Sequence, residues 1–403
     1  MFSILTSIVL FKYLLELAVV LSLCAWGALA GAACPAGDFA AQVRQLTGSP
    51  MTSQHPSVTR LLDDLRDTLN RRWKELDMTV YGSIPIGLSM KLSDVDCYVR
   101  IPNYNITEHR HNVEQAVDLL RQQPNLYSDV RVVDVTDNEK DIYFTFWHIP
   151  TQRNGEIVFT RTGAVENSNL LSYLFRLDKL YLPLGRIIKY WSTVHELKAL
   201  ETMDKLPSYA WYIMIVFYLQ QKGLAPSVYE LQRRTDSDAL DWDMSFQPIP
   251  YPVRNNQSLY ELLGGFFQYY SQFDFQNYIV SPFAGRPIHR SDFLNIDLVP
   301  AEFTAYKNIA INNNSCCQIE LNTDLCIQNI FKHVANVANL ISHEEAFRIL
   351  SHIKWAAQMY EELPSDRFLT TILNVRHRVM DGNEVNTTID GSYNNCTDVS
   401  DIL

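Results

Sequence analysis

Apolar residues recur three and four positions apart between residues 57 and 76, at Val58, Leu61, Leu62, Leu65, Leu69, Trp73 and Leu76, with charged residues between them. That period puts one apolar stripe on a helix and predicts an amphipathic α-helix. Short β-branched and aromatic runs predict strands at 78–81 and 95–101, and a second amphipathic helix is expected over 113–121. Strand-like runs continue at 130–135, 142–148 and 156–160. After Glu166 the period turns helical: 170–191 and 209–221 are long and apolar, and 259–273 and 327–341 repeat the pattern after loops. Segment 235–256, entered past Pro226 and carrying Pro248, Pro250 and Pro252 among acidic residues, reads as a connection. From Asp381 onward few large apolar residues remain, which predicts a disordered tail. No internal repeat is visible.

This order divides the chain into an apolar leader (1–34), an N-terminal helical segment expected to pack on the central domain (35–75), a compact α/β unit (76–165), a helical domain (166–375) and a tail (376–403). The leader has no charge from 17 to 37 and is broken earlier only by Lys12 and Glu16. A run of about 20 apolar residues can cross a bilayer. Ala28, Ala30 and Ala32 resemble a signal-peptidase site, yet the basic stretch that precedes such a run is missing. A mitochondrial leader is disfavoured by Glu16 and by the lack of arginine before Arg44. Two readings stay open, a membrane or secretory segment and an extension belonging to no folded domain. Sequons at Asn105, Asn256, Asn313, Asn386 and Asn395 weigh little in an Asn-rich chain.

The 403 residues are 47% hydrophobic and 12% aromatic, enough for a large core, which excludes a disordered or low-complexity chain. Lys and Arg number 34 against 45 Asp and Glu, a net charge of −11 that argues against coating nucleic acid by bulk charge but allows a local basic groove. Seven cysteines with no CxxC spacing and one adjacent pair, Cys316 and Cys317, argue against a disulfide framework or a Cys-rich zinc site. Reduced thiols, and hence a cytoplasmic or nuclear setting, are expected.

Candidate chemistry concentrates in Tyr81-Gly82-Ser83-Ile84-Pro85-Ile86-Gly87-Leu88 and Ser93-Asp94-Val95-Asp96-Cys97-Tyr98-Val99. Gly82 and Ser83, following a strand, allow close backbone approach and offer an N–H and a hydroxyl at a helix start, as a triphosphate requires. Asp94 and Asp96 are two apart on a strand, so both point to one face and can share divalent metal. In-line phosphoryl transfer uses such a site, with two ions about 3.5–4 Å apart at the attacking and leaving oxygens. A lone D-x-D is usually a solvated strand edge; the Gly-Ser pair upstream shifts the balance toward a site.

This stretch resembles the nucleotidyltransferase signature of the DNA polymerase beta superfamily, specifically the non-canonical poly(A) polymerases and terminal uridylyltransferases. Asn167-Ser168-Asn169-Leu170-Leu171 is similar to that family's H-N-T-x-L-L, and Ile187-Ile188-Lys189-Tyr190-Trp191 to its V-K-H-W. Leu206-Pro207-Ser208-Tyr209-Ala210 resembles the S-S-Y-A helix start. Ser258 through Tyr270 resembles S-L-x-E-L-L-x-G-F-F-x-Y-Y, and Cys326-Ile327-Gln328 with Phe331 resembles I-C-I-Q-D-P-F. The likeness covers roughly 57–360. It implies an α+β fold, a polymerase-beta-like nucleotidyltransferase palm of mixed β-sheet and helices joined to a mainly helical poly(A)-polymerase-associated central domain.

The resemblance also implies a reaction, template-independent addition of nucleotides to an RNA 3′ end from a nucleoside triphosphate, with Mg²⁺ or Mn²⁺ and three carboxylates. Asp94 and Asp96 match the first two as catalytic and metal-binding residues. The third, eleven residues before Asn167, is Glu156 where the family has Asp, and the longer side chain displaces its oxygens. Asp141 is an alternative at the wrong spacing. By resemblance Gly82, Ser83 and Ser93 lie at the triphosphate, Lys189 neutralises its outer oxygens, and Ser208 adds a hydrogen bond. Tyr209 stacks on the base, and Asn167 with Ser168 meets the ribose. The family's second lysine, four residues after the first, is Thr193 here.

Ala335 stands where uridylyl-adding members carry a His, and Lys332 replaces an acidic residue. ATP is therefore favoured over UTP. His333, on a helix, would point about 200° away from position 335 and is not a substitute. His109 and His111 are expected on the surface. RNA is expected to meet local patches such as Arg110, Arg121, Arg131, Arg153 and Arg161, with a protein partner choosing the target and membrane contact possible only through the leader. The other reading is a weakened or inactive member acting as an RNA- or protein-binding module, suggested by the departures at Glu156, Arg161, Thr193, Lys332 and Ala335.

Overall fold

A computed structural model describes residues 38–47, 51–90, 93–134, 142–160, 163–198, 205–232, 242–312 and 318–374. The leader (1–34), the tail (376–403), Asp141, Arg161, the Cys316–Cys317 pair and the sequons at Asn313, Asn386 and Asn395 lie outside the described residues. Among the described residues no helix is long and apolar enough to cross a membrane.

Helix α1 (Phe39–Thr47) precedes α2 (Pro56–Leu69), where Pro56 begins the first turn and the His55 ring accepts from the Ser57 amide. Val58, Leu61, Leu65 and Leu69 of α2 are buried, as their spacing requires. The helix ends at Leu69, capped at Asn70, so Trp73 and Leu76 lie in the turn that follows, where Glu75 is left-handed at φ 59°. Strands β1 (Asp77–Tyr81), β2 (Val95–Arg100), β3 (Tyr127–Asp134), β4 (Ile142–His148) and β5 (Arg153–Val158) form one mixed sheet in the order β1-β2-β5-β4-β3. Only β2 and β5 run parallel. Alternation sends Val95, Cys97, Val99, Phe144, Phe146 and Ile157 to one face, where they form a core with α2 and helix α4 (His109–Arg121). Asp96, Tyr98, Tyr143, Thr145, Trp147 and Glu156 take the other face. A single helical turn, α3 (Ser83–Ile86), links β1 toward β2.

The apolar run 170–191 is not one helix. It divides into α5 (Ala164–Phe175) and α6 (Tyr181–Val194), with turns between them. Helix α7 (Ser208–Gln221) is buried from Ala210 to Gln220, which explains its lack of an apolar stripe. A one-turn helix α8 (Val228–Leu231) and the helix α9 (Leu259–Gln272) each start on a capping box, Ser227 with Glu230 and Ser258 with Glu261. Two-residue strands β6 (Tyr278–Ile279) and β7 (Ile288–His289) and helices α10 (Thr304–Asn312), α11 (His343–Glu362) and α12 (Ser365–Ile372) complete the described chain. Segment 35–75 divides between the two cores: α1 packs on α6 and α12, whereas α2 packs with α4 under the sheet.

Two further expectations are corrected. Segment 327–341 is not helical: Ile327 and Gln328 make isolated bridges to Val280 and Asn336, and the chain between them turns. Asn336 holds that turn from inside, its side-chain oxygen accepting from the Ile327 and Ala338 amides and its nitrogen donating to the Glu320 and Leu325 carbonyls. His109 is fully buried rather than on the surface, with Nε2 2.8 Å from the Ile142 carbonyl and Nδ1 against the Tyr104 hydroxyl.

The loop 82–90 joins the two cores. Ile84 belongs to the sheet core, whereas Ile86, Leu88 and Met90 enter the helical one. Leu88 is seated over Gly185 of α6, where an added Cβ would lie 2.7 Å from its Cδ2. We expect Leu88→Ala to cost about 2–5 kcal/mol through lost burial and the cavity left behind. A melting temperature indistinguishable from that of the parent chain would contradict this seating.

Candidate active site

Strand β1 delivers the chain to Gly82, at φ 75° and ψ −149°. Side chains rarely adopt that backbone, and a Cβ there would run into Asp96 Oδ2, so glycine is required twice over. Helix α3 then turns once and closes on Gly87, left-handed at φ 95°, whose amide donates to Ser83 and Ile84.

The helical domain grips this loop at four main-chain groups, of Gly82, Pro85, Gly87 and Leu88. The Gly82 amide donates to Ser168 Oγ at 2.8 Å, and Ser168 in turn donates to the Ala164 carbonyl at 2.7 Å. Ser172 and Arg176 donate to the Pro85 carbonyl. Arg186 places Nε and one terminal nitrogen on the Gly87 carbonyl at 2.9 and 2.8 Å. Lys189, only 3% exposed, donates to the Leu88 carbonyl at 3.0 Å and to Ser93 Oγ at 3.1 Å. Ser93 Oγ also accepts from the Met90 amide.

Register brings the carboxylates together. Asp96 of β2 stands directly beside Glu156 of β5, in a parallel pair where neighbouring strands are about 4.8 Å apart. Tyr81 donates to Glu156 Oε1 at 3.3 Å. Burial, then the charges of Glu156 and Asp94, raise the Asp96 carboxyl well above the usual range, while Lys189 and Lys198 oppose the rise. Burial also raises Glu156, against the Tyr81 hydrogen bond and with help from Asp94. Lys189 is pushed down to about 7, chiefly by burial and then by Lys198, with the two aspartates opposing.

Lys198 is the residue that motif spacing missed. Nine positions after Lys189, it acts electrostatically on Asp94, Asp96 and Lys189. After α6 the chain reverses through Glu196 at φ 55°, with the Leu197 amide donating back to Ser192, and Lys198 then bridges Leu206. Arg348 clamps that reversal by donating to the His195 and Glu196 carbonyls. No signal in the sequence marks the turn.

Of the remaining expected residues, Asn167 has a buried Oδ1 without a hydrogen-bond partner, an acceptor aimed at nothing in the chain itself. Ser208 acts on the buried Tyr212 hydroxyl, which also feels Asp96. Tyr209 is half-buried at the start of α7, its hydroxyl beside the Ile330 main chain. His333 is excluded from base contact for a different reason than helix geometry: it is buried among the rings of Phe283, Phe303 and Trp242, which pushes its imidazole down to about 3. Among the arginines, Arg110 pairs with Asp134 at 2.7 Å, Arg121 donates to the Val130 carbonyl, and Arg153 ties Ser57 to the Ser93 carbonyl.

Among the described residues no three His, Cys, Asp or Glu side chains form a closed metal cage. Mg²⁺ does not need one: it typically takes one or two protein carboxylates and completes its shell with water and substrate phosphates. An all-oxygen set whose mutual repulsion is only partly offset by Lys189 and Lys198 would suit a hard divalent cation, and Asp94, Asp96 and Glu156 are the residues that would hold it.

Residues 258–313 match the PAP-associated signature of the Cid1 family of poly A polymerases. Poly(A) RNA polymerase gld-2 homolog B of Drosophila melanogaster is 33% identical over 137 residues, 31% of this chain and 10% of that protein. Terminal uridylyltransferase cid1 of Schizosaccharomyces pombe is 24% identical over 221 residues, 52% of each chain. The chain thus spans a tenth to about half the length of these relatives. The crystal structure of mtPAP in complex with UTP superposes with a TM-score of 0.69 at 18% identity, covering 84% of this chain and 73% of that one, a likeness of fold.

Because Asp96 and Glu156 are both raised, cation binding is expected to release protons from the pair. Affinity for Mn²⁺ is expected to climb as pH rises through their raised range, and titration calorimetry in two buffers of different ionisation heat should report proton release. Asp96→Asn should abolish most of that release. An affinity flat in pH, with no buffer dependence, would be incompatible with a cation seated on these carboxylates.

Proposed function

We propose that the chain, which carries the PAP-associated signature of the Cid1 family of poly A polymerases over residues 258–313, extends RNA 3′ ends without a template, adding AMP from ATP in preference to UMP from UTP. The observation that carries this reading is the half-buried pair Asp96 and Glu156, in register beneath the Gly82–Ser83 turn and faced by Lys189 and Lys198. When bound, a divalent cation would polarise the phosphoryl group and offset charge on the leaving pyrophosphate.

The chain's own residues do the rest. Lys189 and Ser93 already share a hydrogen bond, so a triphosphate entering here meets a lysine whose alternative partners are a carbonyl and a hydroxyl. Lys198 supplies the second cation that Thr193 cannot. Tyr209 stacks on the base and the unpartnered Asn167 Oδ1 accepts from a ribose hydroxyl. Glu156, raised by burial, is suited to take the proton of the RNA 3′ hydroxyl on a carboxylate oxygen. Ser168 acts one step back, holding the Gly82 amide. The preference for ATP rests on Ala335, which offers no ring nitrogen or hydroxyl to read a uracil edge.

The test is incubation of the full chain with Mg²⁺ or Mn²⁺, a labelled short RNA, and ATP or UTP. Extension with ATP is expected, and its loss in Asp94→Ala and Asp96→Ala. Lys198→Ala should raise KM for the nucleotide by about tenfold to hundredfold, the worth of one charge-assisted bond, and adding Thr193→Lys should recover part of it. No extension by the parent with either nucleotide would instead support the binding-module reading, and Glu156→Asp discriminates further, since a gain in rate marks an enzyme weakened by its longer carboxylate.

A further inference from the structure

We propose that the open side of β4 and β3 is the track for the last nucleotides of a single-stranded RNA, with Tyr143 and Trp147 as stacking platforms and Arg131 as a phosphate contact. This rests on the polymerase reading above for its position, but on different residues.

The sheet register carries the proposal. One row across the open face runs Tyr81, Asp96, Glu156, Thr145, Arg131, so Arg131 closes the row that holds the carboxylates, two strands from Glu156. Two strand spacings are about 10 Å, the reach of one or two nucleotides. Tyr143 stands diagonal to Glu156 on β4, and its phenol feels both Glu156 and Asp96. Trp147 pairs with Asn154, next to the Val95–Gly155 pair at which β2 enters beside Asp94. Both rings are only half-buried, and α4, the helix packed on β3 and β4, lies on the opposite face.

Arg131 reaches this face only because the strand is irregular. Tyr127 pairs with His148 and Ser128 with Trp147, so regular pairing would set Arg131 opposite Phe144, in the closed core. The register shifts between Ser128 and Arg131, with Asp129 in the left-handed region at φ 51°, and Arg131 instead faces Thr145. Bulges of this kind re-aim side chains beside active sites. The Arg131 side chain is 69% exposed and its contact with Asp129 is a loose 3.6 Å, an exposed pair that phosphate can displace. Two π-faces flanking Thr145 on β4, with a cation beside Thr145 on β3 and the carboxylates on its other side, match single-stranded nucleic acid, which is held by stacking plus phosphate contacts. In a chain of net charge −11, such binding has to be local.

Binding of a fluorescein-labelled 15-nucleotide oligoadenylate to the full chain, followed by anisotropy without nucleoside triphosphate, tests this. Trp147→Leu and Tyr143→Leu are each expected to weaken Kd by roughly tenfold, as loss of one stacked base does. Trp147→Phe, which keeps a π-face, should bind within about threefold of the parent. Arg131→Glu should weaken binding and lower the slope of log Kd against log salt by about one. Parent-like affinity in both Leu variants with unchanged melting temperature overturns the proposal, as does a loss in Trp147→Phe equal to that in Trp147→Leu. Should the Leu variants not fold, parent-like affinity and salt slope in Arg131→Glu overturn it. The two readings fail separately. An extending enzyme indifferent to these changes loses only the track. A chain that binds RNA through them yet never extends it loses only the polymerase activity.

Discussion

Holding Asp96 beside Glu156, both half-buried, is the constraint around which the molecule is arranged. Two carboxylates in adjacent strands and partly withdrawn from water repel each other and lose part of their hydration. Three things offset that here: protonation favoured by the raised carboxyls, the Tyr81 hydrogen bond, and the lysines 189 and 198. Lys189 is itself buried and depressed, so neither partner is comfortable alone. A bound cation and triphosphate would relieve both sides at once, which is the physical sense in which the site is prepared for a charged ligand.

That arrangement requires two separately packed units to meet. The carboxylates belong to the sheet and the lysines to the helical domain, and loop 82–90 is the shared part. Its main-chain groups are held by Ser168, Ser172, Arg176, Arg186 and Lys189, all from α5 and α6. Polar side chains that look like ligand contacts in a motif therefore also serve as the grip between units. Ser168 is the clearest case, with both donor and acceptor engaged inside the chain.

Elements with an uninterrupted local signal were legible. Helix α9 was, because Ser258 and Glu261 cap it and its apolar face is regular, and so were the strands whose alternation buries one face. Segment 327–341 was not. Ile327, Ile330, Phe331, Val334, Val337 and Ala338 mimic a helical stripe, but Asn336 satisfies main-chain groups from three stretches of chain, and those bonds outcompete an isolated helical turn. The break between α5 and α6 was likewise hidden within an apolar run.

The chain's sequence by itself marked the residue types suited to a phosphate and a cation: a glycine and a serine after a strand, two aspartates two positions apart where a strand begins, and a lysine on an apolar helix. Those follow from local geometry, since side chains two apart on a strand share a face whatever surrounds them. Tertiary structure decided what spacing does not encode. Strand order placed Glu156 beside Asp96, a left-handed reversal at Glu196 brought Lys198 to the carboxylates, and a one-residue bulge turned Arg131 to their face. Each depends on contacts between residues far apart in the chain, and a shift of one residue in register would have sent Glu156 or Arg131 to the other side of the sheet.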